Sequence, residues 1–141
     1  MPNDSDVESI AREYFTALSE GDLDKFCSFY TRDITYEDIF GRRVCHGLIA
    51  TRHYHAATTL PLGARWEVGK IVATDEGFAA SGIVESDDAT AIAGPVPPHR
   101  SSRAAAAAIG SVWNGKIGHY REYRSGSSNL RQSNPGNWSV V

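Results

Sequence analysis

Asp38 is the residue best placed by its neighbours in sequence to move a proton. It closes the regular part of FYTRDITYEDIFG, residues 29 to 41, where Ile34, Tyr36 and Asp38 alternate with Thr35 and Glu37. A two-residue period is that of a β-strand, so the three alternate residues share one face. If that face is the inner one, the strand delivers a carboxylate among apolar and aromatic groups. Loss of hydration there raises its proton affinity and suits it to general acid or base work. The rest of the chain then reads as the cup around that group. A second carboxylate of the same kind is Glu122 in KIGHYREYR, which by alternation shares a face with Tyr120, while His119, Arg121 and Tyr123 point the other way.

Other chemistries find less support. His53 and His55 form an H-x-H pair on a predicted helix, where that spacing aims the rings apart; a helical metal pair needs i and i+4. His46 and His99 do not complete a set, so no metal is expected. There is no G-x-S-x-G elbow, Walker loop or dinucleotide fingerprint, and cofactor-free chemistry is the expectation. Cys27 and Cys45 make no C-x-x-C pair and imply no disulfide framework.

The net charge of −3 over 141 residues argues against nucleic acid as a partner, since phosphate binding needs clustered cations. Arg121, Arg124 and Arg131, interrupted by Glu122, read as solvated surface. No apolar stretch approaches the ~18 residues of a membrane span and MPNDSD is polar, so neither a span nor a signal peptide is expected and the cytoplasm is the default location.

The elements that must position the two acids follow in order. Ile10, Tyr14, Ala17 and Leu18 recur at helical spacing and Gly21 is placed to stop the turn, which predicts a helix over 5–19 with Tyr14 on its buried stripe. Asp22 caps a second, short helix carrying Leu23, Phe26, Cys27 and Tyr30. After the Asp38 strand, Gly41-Arg42-Arg43 reads as a turn, and LIATRHYHAATTL, residues 48 to 60, as a third helix halted by Pro61.

Beyond Pro61 the pattern changes to strands, ARWEVGKIVAT and FAASGIVESDD. Residues 86 to 102, rich in Pro, Ser and Gly, predict a long loop or an extended sheet edge. Five alanines favour helix in RAAAAAIGSVW, yet this run leads directly into Asn114-Gly115, the preferred two-residue hairpin turn. A strand over 103–113 is therefore expected, its small side chains forming either a close-packed layer or, the favoured reading, room for a bulky ligand. Residues 1–124 form one domain on this reading, and 125–141 a polar tail expected to be mobile, with Trp138 able to tuck against the body. Helices first and strands afterwards give an α+β domain.

Residues 13 to 41, EYFTALSEGDLDKFCSFYTRDITYEDIFG, resemble the N-terminal part of ketosteroid isomerases, in the GDLD helix junction and the T-x-E-D strand. NGKIGHYREY, residues 114 to 123, is similar to the final strand of limonene epoxide hydrolases and SnoaL-like polyketide cyclases. The resemblance spans nearly the whole length. It implies the fold shared with nuclear transport factor two: a cone-shaped barrel, three N-terminal helices packed in a curved, mostly antiparallel sheet. It further implies that Asp38 is the general base and that Tyr14 donates to an enolate oxygen. Glu122 takes the place of the final-strand acid of the hydrolases and cyclases. The isomerases' second donor, a protonated acid, falls near Ile109, where no acid stands, and GIVESDD lacks the arginine of the hydrolases' Arg-x-Asp pair.

The expectation is therefore a cofactor-independent isomerase or cyclase acting on a bulky apolar carbonyl compound, such as a polyketide or terpenoid intermediate of natural-product (antibiotic) biosynthesis. Asp38, Tyr14 and Glu122 are the expected catalytic groups. Tyr30, Tyr36, Tyr54, His55, Trp66, Trp113 and Tyr120 are the expected pocket lining, and Tyr30, Tyr36, Tyr54 and His55 are also candidates to extend a hydrogen-bond network behind Tyr14. Epoxide opening by Asp38 and Glu122 is the first alternative. The second is a non-catalytic binding or interaction module, signalled by an interior filled by Trp66, Trp113 and Phe78 with Asp38 in solvent. By analogy with the fold, a homodimer is expected through the outer sheet face, assigned to Ile117, His119, Arg121 and Tyr123.

Overall fold

The structure, a computed structural model, describes residues 4–87 and 101–125. Most of the 86–102 segment, His99, and the tail with Arg131 and Trp138 lie outside the described residues. Helix α1 (Asp4–Ser19) and the short α2 (Leu23–Cys27) lead into β1 (Tyr30–Asp38) and β2 (Arg43–His46). Helix α3 (Leu48–Tyr54) then runs directly into a π-helical turn, His55–Thr59. Strands β3 (Arg65–Thr74), β4 (Gly77–Asp87), β5 (Ser101–Trp113) and β6 (Lys116–Arg124) complete the chain. One curved, unclosed sheet in the order β2-β1-β6-β5-β4-β3 holds the helices against its inner face; β1 and β6 are parallel and the other pairs antiparallel. This is the expected α+β cone, with one strand the sequence reading omits: β2 follows immediately after the Gly41 turn.

Each element follows from its residues. Val7, Ala11, Tyr14, Phe15 and Leu18 place a buried stripe on α1, which packs across β3. The Asp22 side chain accepts from the Lys25 amide and starts α2. Asn114 and Gly115, with φ of 50° and 79°, form the tight β5–β6 turn whose left-handed residues suit the sheet twist. That turn fixes the register that draws the alanines into a strand. Ala106 and Ala108 face inward while β4 and β6 satisfy the backbone on both sides, so pairing overrides helix propensity.

Close approach within the sheet requires glycine at positions 110 and 82, among others. A Cβ at Gly110 would lie 2.4 Å from the Phe78 ring, which therefore crosses β5 only over a glycine. One at Gly82 would lie 2.2 Å from the Glu67 carbonyl oxygen, where a bulge shifts the β3–β4 register between Val68 and Lys70. Because that neighbour is backbone and cannot rotate away, Gly82→Ala is expected to cost about 3 kcal/mol of stability. The loss is read from the urea midpoint against Ser81→Ala, an exposed control.

A second irregularity corrects the strand reading. The β5–β6 register skips Gly118 between Ile117 and His119, so Ile117 turns inward and is fully buried instead of joining His119, Arg121 and Tyr123 outside.

Candidate functional site

Asp38 ends β1 and is paired in register with Glu122 on the parallel strand β6. Neighbouring strands lie about 4.8 Å apart and in-register residues share a face, so the two carboxylates stand side by side on the inner surface. Asp38 is 9% exposed and Glu122 1%. Asp38 Oδ2 accepts a hydrogen bond from the Tyr54 hydroxyl at 2.6 Å and Oδ1 accepts from the Gly41 amide at 3.0 Å. A Cβ at residue 41 would lie 2.7 Å from Oδ2, so the glycine is what lets the turn close over the carboxylate. Glu122 Oε1 accepts from the Tyr120 hydroxyl at 2.7 Å and Oε2 from Arg124 Nε at 2.8 Å.

Arg124 is a correction to the sequence reading. It lies two residues beyond Glu122 on the same face, its side chain is 24% exposed, and it interacts electrostatically with Asp38 as well as Glu122. The alternation that places Glu122 inward predicts the same for Arg124, and the surface reading overlooked this. Two other arginines of the last strands pair elsewhere, Arg121 with Glu37 and Arg103 with Glu67 and Glu85.

Behind the carboxylates runs a chain of hydrogen bonds. Tyr14 Oη and Tyr30 Oη are 2.6 Å apart, Tyr30 Oη and His55 Nε2 2.8 Å, and His55 Nδ1 and Thr59 Oγ1 2.7 Å. Thr59 is the member the sequence reading missed; it stands at i+4 from His55 in the π turn. Helix α3 and that turn deliver Tyr54 and His55 against β1, one to Asp38 and the other to Tyr30. His53, two residues before His55, is exposed while His55 is buried. Among the described residues no three His, Cys, Asp or Glu side chains cluster as metal ligands. Both cysteines are free.

The rings between these groups are closely packed. Tyr36 stacks on Tyr120 with centroids 5.1 Å apart and planes 5° from parallel, the direct result of their in-register pairing on β1 and β6. Tyr14 is 0% exposed, and its hydroxyl is engaged with Tyr30. Burial pushes the hydroxyls of Tyr14, Tyr30, Tyr36 and Tyr120 well above the usual phenol range, so all four stay protonated. Burial does the same for Tyr54, reinforced by its bond to Asp38.

The two tryptophans separate. Trp66 is buried against Phe15, centroids 4.5 Å apart, in the core beneath β3. Trp113 is 72% exposed, because the strand turns Val112 inward and its neighbour out; it is not part of the inner lining. Two shallow clefts lie away from the carboxylates. One, of about 150 Å³, is lined by Ile109, Ser111, His119 and Arg121 on the outer sheet face. The other, of about 170 Å³, lies by Leu18, Gly21, Thr59, Leu60 and Arg65.

His55 gives a pH prediction independent of any ligand. Burial lowers its pKa from 6.5 to about 3, opposed in part by the charge of Asp38. The unfolded chain takes up a proton near 6.5 that the folded chain refuses until about 3, so unfolding takes up a proton between those values and stability falls as pH falls across that window. The slope from this one group reaches about 1.4 kcal/mol per pH unit. His55→Gln is expected to remove that part of the slope, measured as unfolding free energy against pH for both proteins.

Residues 11–120 match the SnoaL-like domain family. No curated protein sequence matches the chain. Among solved structures, SalBIII, described as an epoxide hydrolase/cyclase-like enzyme with a role in pyran ring formation in polyether salinomycin, is 24% identical with a TM-score of 0.70, over 83% of this chain and 88% of that one. A protein of ketosteroid isomerase-like fold from Catenulispora acidiphila is 17% identical with a TM-score of 0.72, over 92% and 95%. An LEH-like epoxide hydrolase from M. tuberculosis is 15% identical with a TM-score of 0.71, over 86% and 84%. At these identities the structures establish the fold. Among the described residues no helix is long and apolar enough to cross a membrane.

Proposed function

We propose, from the premise that the chain belongs to the SnoaL-like domain family, that it is a cofactor-independent isomerase or cyclase acting on a bulky, largely apolar carbonyl compound. The observation that carries this reading is the in-register pair of inward carboxylates, each held by a tyrosine hydroxyl: Asp38 by Tyr54 and Glu122 by Tyr120. Asp38, the less buried of the two, takes a proton beside the carbonyl and returns it to another carbon or to the closing ring. A tyrosine hydroxyl carries the charge that develops on oxygen. Glu122, with Arg124 on its second oxygen, is the complementary acid or base. Ile39 and Phe40, exposed next to Asp38 in the β1–β2 turn, suit an apolar substrate.

The same two acid–tyrosine pairs support a second reading, the opening of an epoxide by water or an internal hydroxyl. Deuterium exchange separates the two. The protein is incubated in D₂O with bulky 1,3-diketones, β,γ-unsaturated ketones and matched epoxides, and label and products are followed by NMR. Label entering beside the carbonyl of a ketone supports proton abstraction. Ring-opened epoxide without ketone labelling replaces it with the second reading, and neither outcome from compounds shown to bind rejects both.

The outer sheet face exposes Ile109, Trp113 and Tyr123 around the cleft of His119 and Arg121, and is the surface we assign to a homodimer. Light scattering is expected to give twice the mass of the chain, and a monomer at high concentration would refute the assignment.

A further inference from the structure

The geometry points to Tyr36, and not Tyr14, as the donor to the substrate oxygen. This inference rests on the reading of Asp38 as the base and names the group that works beside it. Tyr14, Tyr30, Tyr54 and Tyr120 each spend their hydroxyl on another buried group. The Tyr36 hydroxyl alone among these inner tyrosines has no hydrogen-bond partner among the described residues. Thr51 Oγ1 is the one sealed side-chain polar atom without a partner among those residues, so the Tyr36 hydroxyl is unpartnered but not sealed off. A protein seldom leaves a buried phenol without a partner unless something else supplies one.

Its position fits a ligand oxygen. Tyr36 lies on the same face of β1 as Asp38, two residues before it, and interacts electrostatically with Glu122, Tyr14, Tyr54 and Asp38. Its ring is fixed by stacking on Tyr120 and by edge contact with His55, centroids 4.7 Å apart. A rigid ring with a protonated, unspent hydroxyl beside a base is a preorganised donor, which needs no rearrangement when charge appears. Tyr14 is by contrast a positioning residue. Its ring meets Tyr120 at 5.5 Å and Tyr30 at 5.6 Å, and it holds the wall behind Tyr36.

The step balances without a co-reactant. Asp38 takes the proton from the carbon next to the carbonyl, the C–H electrons form the C=C bond, and the carbonyl π electrons move to oxygen as an enolate that accepts the Tyr36 O–H. Return of the proton from Asp38 to carbon restores the enzyme.

The test compares Tyr36→Phe, Tyr14→Phe and wild type as full-length chains. Binding of 4-nitrophenol, followed by absorbance, reads the donor directly, because the bound phenolate mimics an enolate oxygen. Tyr36→Phe is expected to weaken phenolate binding about tenfold or more, Tyr14→Phe only a few-fold. In the deuterium-exchange assay Tyr36→Phe is expected to lower kcat by about 10²–10³-fold with KM nearly unchanged. Since the lost hydroxyl has no partner, the urea midpoint of Tyr36→Phe stays at the wild-type value, which a structural role would not allow. Wild-type affinity and rate in Tyr36→Phe, the larger loss in Tyr14→Phe, or no phenolate binding by the wild type each overturn the inference. If Tyr36→Phe loses phenolate binding and exchange while Asp38→Asn retains exchange, the donor assignment stands and the base assignment falls.

Discussion

Asparagine in place of Asp38 is expected to lower the rate of proton exchange into a bound ketone by about 10²–10⁴-fold, the usual contribution of a positioned general base. The substitution isolates chemistry from folding. The amide oxygen still accepts from the Gly41 N–H, and the side chain keeps the volume that the Gly41 turn and the Tyr54 hydroxyl enclose. A stability change of no more than about 1 kcal/mol is expected, the net worth of one altered hydrogen bond. Exchange rates and urea midpoints measured on the same preparations separate the two effects. A folded Asp38→Asn protein that exchanges at the wild-type rate assigns Asp38 to the architecture of the turn alone.

Alanine at position 122 is expected to be the most destabilising of the site substitutions, by about 3–5 kcal/mol. Glu122 is almost fully buried and satisfies two donors at once, the Tyr120 hydroxyl and the Arg124 guanidinium. Removing it leaves a largely buried cation and a fully buried phenol without partners. Glutamine retains an acceptor for Tyr120 but not the charge for Arg124, so a smaller loss is expected, reduced further when Arg124→Leu is added in the same chain. Thermal or urea unfolding of the single and double variants measures this coupling. Activity then divides the roles of Glu122. If the acid only holds Arg124 and Tyr120, the double variant, Glu122→Gln with Arg124→Leu, regains both stability and exchange. If it is the complementary acid or base, stability returns and exchange does not.

The parts of the fold that rest on local chemistry were readable in the chain. The α1 stripe, the Asp22 cap, the Asn114-Gly115 turn and the alternation around Asp38 each predict their element from neighbouring residues, and the SnoaL-like resemblance supplies the topology that joins them. The parts that depend on partners across the sheet were not. Strand β2 is only four residues and is defined by its pairing with β1, so no periodicity marks it. Ile117 and His119 fall on opposite faces because a bulge at Gly118 breaks an alternation that looks regular in the sequence. Trp113 looks like a pocket wall by residue type, and its parity after Val112 sends it to the surface.

The site was legible in the same uneven way. Asp38, Glu122 and Tyr120 follow from strand parity, and parity also contains Arg124 once charge is not taken as a sign of exposure. Residue types place Tyr30 and His55 behind Tyr14 as a hydrogen-bond network, but its extension to Thr59, which joins α1, β1 and the π turn, has no signal in the chain. Nor does the sequence show which tyrosine hydroxyl is spent and which is free, since that depends on where each ring ends.

On this mechanism an apolar carbonyl compound binds on the inner face with its reacting carbon at Asp38. The most direct measurement is a crystal structure of the protein with an unreactive bulky ketone. The ketone oxygen is predicted to lie about 3 Å from a tyrosine hydroxyl, with its α-carbon within about 3.5 Å of the Asp38 carboxylate. A ketone seated in the outer cleft of Ile109, Ser111, His119 and Arg121, or beside Thr59 and Leu60, with Asp38 still closed by Tyr54 and Gly41, would contradict it.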